Sequence, residues 1–233
     1  MVLPRLFVAI DTPDATRATA LARIIGDKAG IKLGLEFFTA NGPAGVSSVR
    51  QPGQALFLDL KLHDIPNTVA GAVRSAMALA PDLLTLHAGG GLAMMAAARA
   101  AAHAGASPPA LVAVTVLTSL DEAGLTETGQ RGPAGEQALR LARLAERAGL
   151  DGAVCSAHEI RLLKSALGAE FRLAVPGLRP VGAEAGDQAR VMTPGEAVRL
   201  GADWLVIGRP LTATADPAAA LARILDEIEG AAP

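Results

Sequence analysis

The chain has 233 residues, 51% of them hydrophobic and 19% charged, with a formal net charge of −2. That size and composition support one large buried core, and near-neutrality excludes the basic face of a nucleic-acid binder and electrostatic attachment to an anionic membrane. An anionic ligand must be held by local positive groups.

The first apolar run, Met1 to Ile10, ends at Asp11 and is too short and wrongly flanked for a signal peptide, so a cytoplasmic protein is expected. It also opens the first of eight short, β-rich apolar runs: Leu6 to Asp11, Ile31 to Gly34, Ala55 to Leu62, Leu83 to His87, Leu111 to Thr118, Ala153 to Ser156, Phe171 to Pro176 and Trp204 to Gly208. Helical spacing fills the intervals. Val69 to Leu79 follows a start at Pro66, and Gly135 to Ala148 sets Leu139, Leu141 and Leu144 against Arg140, Arg143 and Arg147. The Ala-rich stretch from Leu92 to Ala106 is broken by Arg99 and His103 well short of the ~18 apolar residues of a membrane span, and is expected as a buried helix.

Strict alternation of strand and helix implies parallel strands with right-handed crossovers. Eight units in this length fit a (β/α)8 TIM barrel, whose usual size is ~250 residues, better than an open doubly wound sheet. A single domain over residues 1–233 is expected, since no Pro/Gly-rich linker divides the chain. Catalytic groups in such a barrel sit at the C-terminal ends of the strands. The longest connection, 177–192, exceeds the ~4–6 residues typical of compact domains and is expected to be a lid. Thr193-Pro194-Gly195-Glu196 then opens a helix as a capping box.

Inward-pointing charges mark the site. In Ala55-Leu-Phe-Leu-Asp-Leu-Lys-Leu62, period-two geometry puts the four leucines on the helix face and Phe57, Asp59 and Lys61 on the other. Asp59 and Lys61 therefore enter the barrel, where an isolated charge costs several kcal/mol unless paired. The same parity turns Asp11 inward at the end of the first strand and Lys32 inward in the second. Asp64 follows just past the third strand, where Pro66 limits the turn. Buried ion pairs seldom improve on apolar packing, so such a cluster at the catalytic end is read as a site.

The segment Asp59-Leu-Lys-Leu-His-Asp-Ile-Pro-Asn-Thr68 resembles the signature of orotidine 5'-phosphate decarboxylases, D-x-K-x-x-D-I-P-x-T. Ordered similarity continues in Ala9-Ile10-Asp11, Ile31-Lys-Leu-Gly-Leu-Glu36, Val114-Thr-Val-Leu-Thr-Ser119, Val175-Pro-Gly-Leu-Arg179 and Val206-Ile-Gly-Arg-Pro210. The resemblance implies that Lys32, Asp59, Lys61 and Asp64 form a charge network, with Asp64, Ile65 and Thr68 donated across a homodimer interface. It further implies that Asp11 and Lys32 hold the ribose hydroxyls, that Thr118 touches the pyrimidine edge, that Pro176 lines the substrate, and that Gln188 closes over phosphate and base. No metal or organic cofactor is expected.

The resemblance also implies a chemical task for the charges. Asp59 near the substrate carboxylate raises the reactant relative to a transition state in which negative charge leaves with carbon dioxide. Lys61 stabilises the carbanion at C6 and gives it a proton. Arg179 offers a forked donor to the phosphate, and Gly208 and Arg209 end the eighth strand, where barrels commonly seat a phosphate.

Two alternatives differ in class. A magnesium-dependent sugar-phosphate decarboxylase or aldolase of the same superfamily would carry an acidic metal ligand in place of Lys32, whose ammonium repels a divalent cation. A non-catalytic barrel binding phosphorylated ligands would need Arg179, Gly208 and Arg209 but no interior charges. Other residues carry bland expectations. His87 faces the cavity and is expected as a hydrogen-bonded structural residue, and His63, His103 and His158 are assigned no chemistry. Gly89 to Gly91 serve a turn, Met94, Met95 and Trp204 pack, and the single cysteine, Cys155, is an inert core residue.

Overall fold

The computed structural model describes residues 4–130, 132–181 and 192–231. Its strands are β1 (Leu6–Ala9), β2 (Gly30–Gly34), β3 (Leu56–Leu62), β4 (Leu83–His87), β5 (Ala110–Val114), β6 (Gly152–Val154), β7 (Arg172–Val175) and β8 (Trp204–Ile207). All pair in parallel in chain order, and β8 returns to β1, closing the barrel. The expected (β/α)8 architecture is the one observed.

Alternation along the strands sorts the side chains into two cores. Outward residues such as Val8, Ile31, Leu33, Leu58, Leu84 and Leu86 meet the helices in the larger apolar cluster. Inward residues Phe7, Phe57, Leu83, Val112, Ala174, Trp204 and Val206 fill the barrel itself. Phe7 and Phe57 meet edge to face, with centroids 5.6 Å apart. Space for Phe7 comes from Gly30, its partner on β2: a Cβ there would lie 2.4 Å from the Phe7 ring. Trp204 is buried under the Arg172 guanidinium at 5.4 Å.

One device repeats at the N-terminal end of the barrel. Asp82, Asp151 and Asp203, each one residue ahead of an even-numbered strand, accept the backbone N–H of Leu56, Leu111 and Leu173 on the preceding odd strand at 2.7, 2.8 and 2.8 Å. Each carboxylate also pairs with a cation, Arg50, Arg99 or Lys164 respectively. These clips tie the strand starts through side chains and leave the opposite end free for function.

Helix starts follow local chemistry. Asp14, Asp121 and Asp216 cap helices through their carboxylates, and the capping box at Thr193 and Glu196 forms as expected. The helix Pro66–Ala76 begins on proline, the Ala-rich helix spans Gly91–His103 with Met94 and Met95 buried, and the next amphipathic helix covers Ala134–Arg147. No helix among the described residues is long and apolar enough to cross a membrane. The fifth strand is shorter than expected. Thr115 turns both its N–H and its hydroxyl to the Val154 carbonyl, and the chain then enters a turn in which Leu120 N–H bonds Leu117. Thr118 therefore lies in that turn beyond the strand.

Past β6, Ser156 and Glu159 form a second capping box. Burial pushes the Glu159 carboxyl up to about 7, against the opposing hydrogen bond from Ser156 N–H. Because the folded-state value is raised, the stabilising protonated form is present at low pH and its contribution is lost as pH rises through about 7. Glu159→Gln keeps the cap without the charge. In urea unfolding at pH 8 it should have a higher midpoint than the native chain, with the gap narrowing as pH falls toward ~5.

Candidate active site

The C-terminal ends of β1, β2 and β3 deliver a row of alternating charges. The Lys32 Nζ stands 3.2 Å from Asp11 Oδ1 and 3.3 Å from Asp59 Oδ2, and the Lys61 Nζ stands 2.7 Å from that same Asp59 oxygen. Asp59 and Lys32 are buried, Lys61 is half-buried, and the Asp11 side chain is 58% exposed. Buried charge thus lies at the centre of the row, and open hydrogen-bonding capacity lies at its ends.

Burial alone would raise the Asp59 carboxyl. The ammonium groups of Lys32 and Lys61, with hydrogen bonds from Lys61 and Thr85, outweigh it and hold the group below the ordinary carboxylate range. Asp59 is therefore an anion at neutral pH. Among the described residues, no buried side-chain nitrogen or oxygen lacks a partner.

Backbone geometry aims these groups. Gly34 has no Cβ where one would lie 3.1 Å from Lys32 Nζ and 3.5 Å from Asp11 Oδ1, so its bareness leaves room for their contact. Lys61 has φ of 49°, the left-handed region, in a strand whose register with β4 shifts between Leu58 and Leu62. Such a conformation costs a β-carbon-bearing residue about 1–3 kcal/mol and is found where surrounding structure enforces it. Thr85 on β4 lies opposite the shift. Its Oγ1 accepts Lys61 N–H at 2.9 Å and donates to Asp59 Oδ1 at 2.8 Å. Nothing in the sequence reading singles out Thr85, although the parity Leu83, Thr85, His87 marks it as an inward polar residue.

The other expected residues ring the same end. Asp64 follows β3, and its carboxylate accepts the N–H of Ile65, while the ion pair of Lys61 among the described residues is with Asp59. Ile65 precedes the helix Pro66–Ala76 and is 67% exposed, and Thr68 is exposed in its first turn. Thr118 is exposed past β5. Pro176 directly follows β7, and Arg179 is tethered by its N–H to the Met192 carbonyl and through its guanidinium to Leu178 O. Gly208 directly follows β8 and precedes Arg209, the exposed first residue of a short helix. Since β7 pairs with β8, Arg179 and Arg209 belong to neighbouring loops. Gln188 and most of the expected lid lie outside the described residues.

His87 departs from expectation. Its ring stacks on His63 with centroids 5.2 Å apart, and neither ring hydrogen-bonds a described residue. Burial, His63 and Lys61 lower its pKa against the pull of Asp59. Hydrogen-bonding was expected because buried imidazoles are polar. Here half-exposure and stacking serve instead. Cys155 is buried, and burial pushes its thiol far up, as befits an inert core residue. Among the described residues no group of three or more His, Cys, Asp or Glu side chains could hold a metal ion.

The model of the orotidine 5'-phosphate decarboxylase / HUMPS family matches residues 4–224. The chain belongs to this family. It is 53% identical over 229 residues to orotidine 5'-phosphate decarboxylase of Paramagnetospirillum magneticum, covering 96% of this chain and 97% of that one. Identity to the enzyme of the same name from Rhodospirillum rubrum is 55% over 232 residues, covering 97% and 94%. Among solved structures, orotidine 5'-phosphate decarboxylase from Lactobacillus acidophilus superposes with a TM-score of 0.86 at 35% identity, over 97% of this chain and 99% of that one.

Asp59 is the shared counter-ion of two ammonium groups, so its loss leaves Lys61 without a counter-ion and the buried Lys32 with only the exposed Asp11. Asp59→Ala should lower unfolding free energy by about 3 kcal/mol in denaturant titration, whereas loss of the outer Asp11 should cost less than about 1 kcal/mol.

Proposed function

We propose that the chain is a single-domain barrel enzyme that converts orotidine 5'-monophosphate to uridine 5'-monophosphate and carbon dioxide in pyrimidine biosynthesis, without a metal or organic cofactor. The observation that carries this assignment is the alternating row Asp11, Lys32, Asp59, Lys61, with Lys61 Nζ 2.7 Å from Asp59. The same assignment puts the enzyme in the cytoplasm with its nucleotide substrate.

Each member of the row has a task. Asp11 and Lys32, at the open end, hold the ribose hydroxyls. The Asp59 anion faces the substrate carboxylate, and the repulsion between them is relieved as that carboxylate departs. The bond from C6 to the carboxyl carbon breaks, its electron pair stays on C6, and neutral carbon dioxide leaves. Lys61 stabilises the pair and transfers a proton from Nζ to C6, after which solvent restores the ammonium. Thr118 and Pro176 contact the base, Arg179, Gly208 and Arg209 anchor the phosphate, and Gln188 closes over both. Binding energy from this remote phosphate orients C6 against Lys61, so it supports turnover as well as affinity.

The working unit is a homodimer with shared sites. At the rim, Asp64, Ile65 and Thr68 are all exposed. Large exposed apolar side chains follow four consecutive strands there: Leu35 after β2, Ile65 after β3, Leu92 after β4 and Leu117 after β5. A second copy covering this rim buries that apolar surface and brings its Asp64 to the far side of Lys61.

Lys32 disfavours the magnesium-dependent sugar-phosphate chemistry of the wider superfamily. Its ammonium occupies the space beside Asp59 at 3.3 Å, where a divalent cation would meet like charge.

Chelator-treated protein should convert orotidine 5'-monophosphate at an undiminished rate, followed by the loss of its absorbance, and Lys61→Ala should reduce kcat at least about 10³-fold while remaining folded. Absence of conversion by the folded native chain would overturn the assignment. The dimer is tested by mixing Lys61→Ala and Asp64→Ala proteins, each nearly inactive. Subunit exchange should restore activity through the one site per mixed dimer that has both native residues, and none should return if Asp64 acts within its own chain.

A further inference from the structure

Among the described residues, Thr85 is the one polar side chain that hydrogen-bonds both Asp59 and the backbone of Lys61, and it is fully buried. We infer that Thr85 is a positioning residue for the decarboxylation, its single hydroxyl fixing the Asp59 anion and the strained Lys61 backbone in one geometry. The role rests on Asp59 and Lys61 being the reacting pair assigned above.

The need for this residue arises from strand pairing. Leu58 pairs with Leu84 and Leu62 with Leu86, so four steps along β3 are matched by two along β4. The surplus residues leave the regular ladder, and the Lys61 N–H needs another acceptor. Thr85 supplies it from the side chain, at 2.9 Å. That bond holds Lys61 at φ of 49°, from which its side chain runs to Asp59 rather than along the strand.

A hydroxyl is suited to both partners at once. It has one proton to donate and lone pairs to accept with. The proton goes to Asp59 Oδ1, while Oδ2 takes the two ammonium groups of Lys32 and Lys61. With one oxygen held by Thr85 and the other by the lysines, the carboxylate is fixed in rotation. Threonine is β-branched, so its χ1 is restricted, and its place on β4 inside the barrel leaves the hydroxyl little freedom to turn away. Valine has nearly the same shape but neither capacity. In its place, the Lys61 N–H and one Asp59 oxygen lose their partner, and the distance between Nζ and C6 is no longer set.

The test compares Thr85→Val, Thr85→Ser and the native enzyme in steady-state decarboxylation of orotidine 5'-monophosphate, with circular dichroism of each. Thr85→Val should lower kcat about 30-fold, as expected for one hydrogen bond to a charged group, with KM changed less than about 3-fold because the phosphate and ribose contacts persist. Thr85→Ser retains the hydroxyl and should recover kcat to within about 5-fold of native. A folded Thr85→Val with native kcat, or a Thr85→Ser as impaired as Thr85→Val, would overturn the positioning role. Should Thr85→Val not fold, Thr85→Cys is measured instead, since its thiol keeps the volume but donates weakly, and native kcat in that variant counts equally against the role. An inactive native enzyme in the same assay would instead reject the decarboxylase assignment itself.

Discussion

The site depends on one carboxylate kept charged inside a protein. Asp59 is buried, and an anion there costs several kcal/mol unless opposite charge and hydrogen bonds surround it. Lys32, Lys61 and Thr85 supply that surrounding, from the strands before and after it as well as from its own. Each partner is in turn constrained by Asp59. Without it the buried Lys32 ammonium would keep only the exposed Asp11 as a partner, and the left-handed backbone at Lys61 would have less to hold its side chain inward. Ground-state repulsion in the proposed chemistry requires a carboxylate that cannot escape by taking a proton, and this arrangement holds its pKa down.

The rest of the barrel divides the work between its two ends. At the N-terminal end, the three aspartate clips satisfy strand N–H groups with side chains, and the interior is filled with Phe7, Phe57 and Trp204. That end is apolar inside and stitched outside. Moving toward the other end, inward positions change from apolar to charged within two residues, from Phe57 to Asp59 and from Ala9 to Asp11. A rigid base beneath the charges restricts the paths by which they could separate, which is what preorganised electrostatics demands.

The rim extends the same economy outward. Within a single chain Asp64 accepts the Ile65 N–H and makes no ion pair with Lys61, and Leu35 and Ile65 are largely exposed. A second copy seated on that rim would cover the apolar side chains while completing the charge row. Assembly and catalysis would then share one surface, and an isolated subunit would lack part of its site.

Sequence alone determined the period of the strands, and with it the barrel, the inward parity of Asp11, Lys32, Asp59 and Lys61, and the family signature around Asp64. These are legible because side-chain alternation and burial cost act locally. Tertiary structure decided what alternation cannot express: the register shift of β3 against β4, the positive φ at Lys61, and the Thr85 hydroxyl that answers both. It also ended β5 at Val114, with the chain entering a turn past Thr115, and it stacked His87 on His63 rather than bonding it. In each case the partner lies on another element or past a strand end, where period-two geometry no longer sets direction.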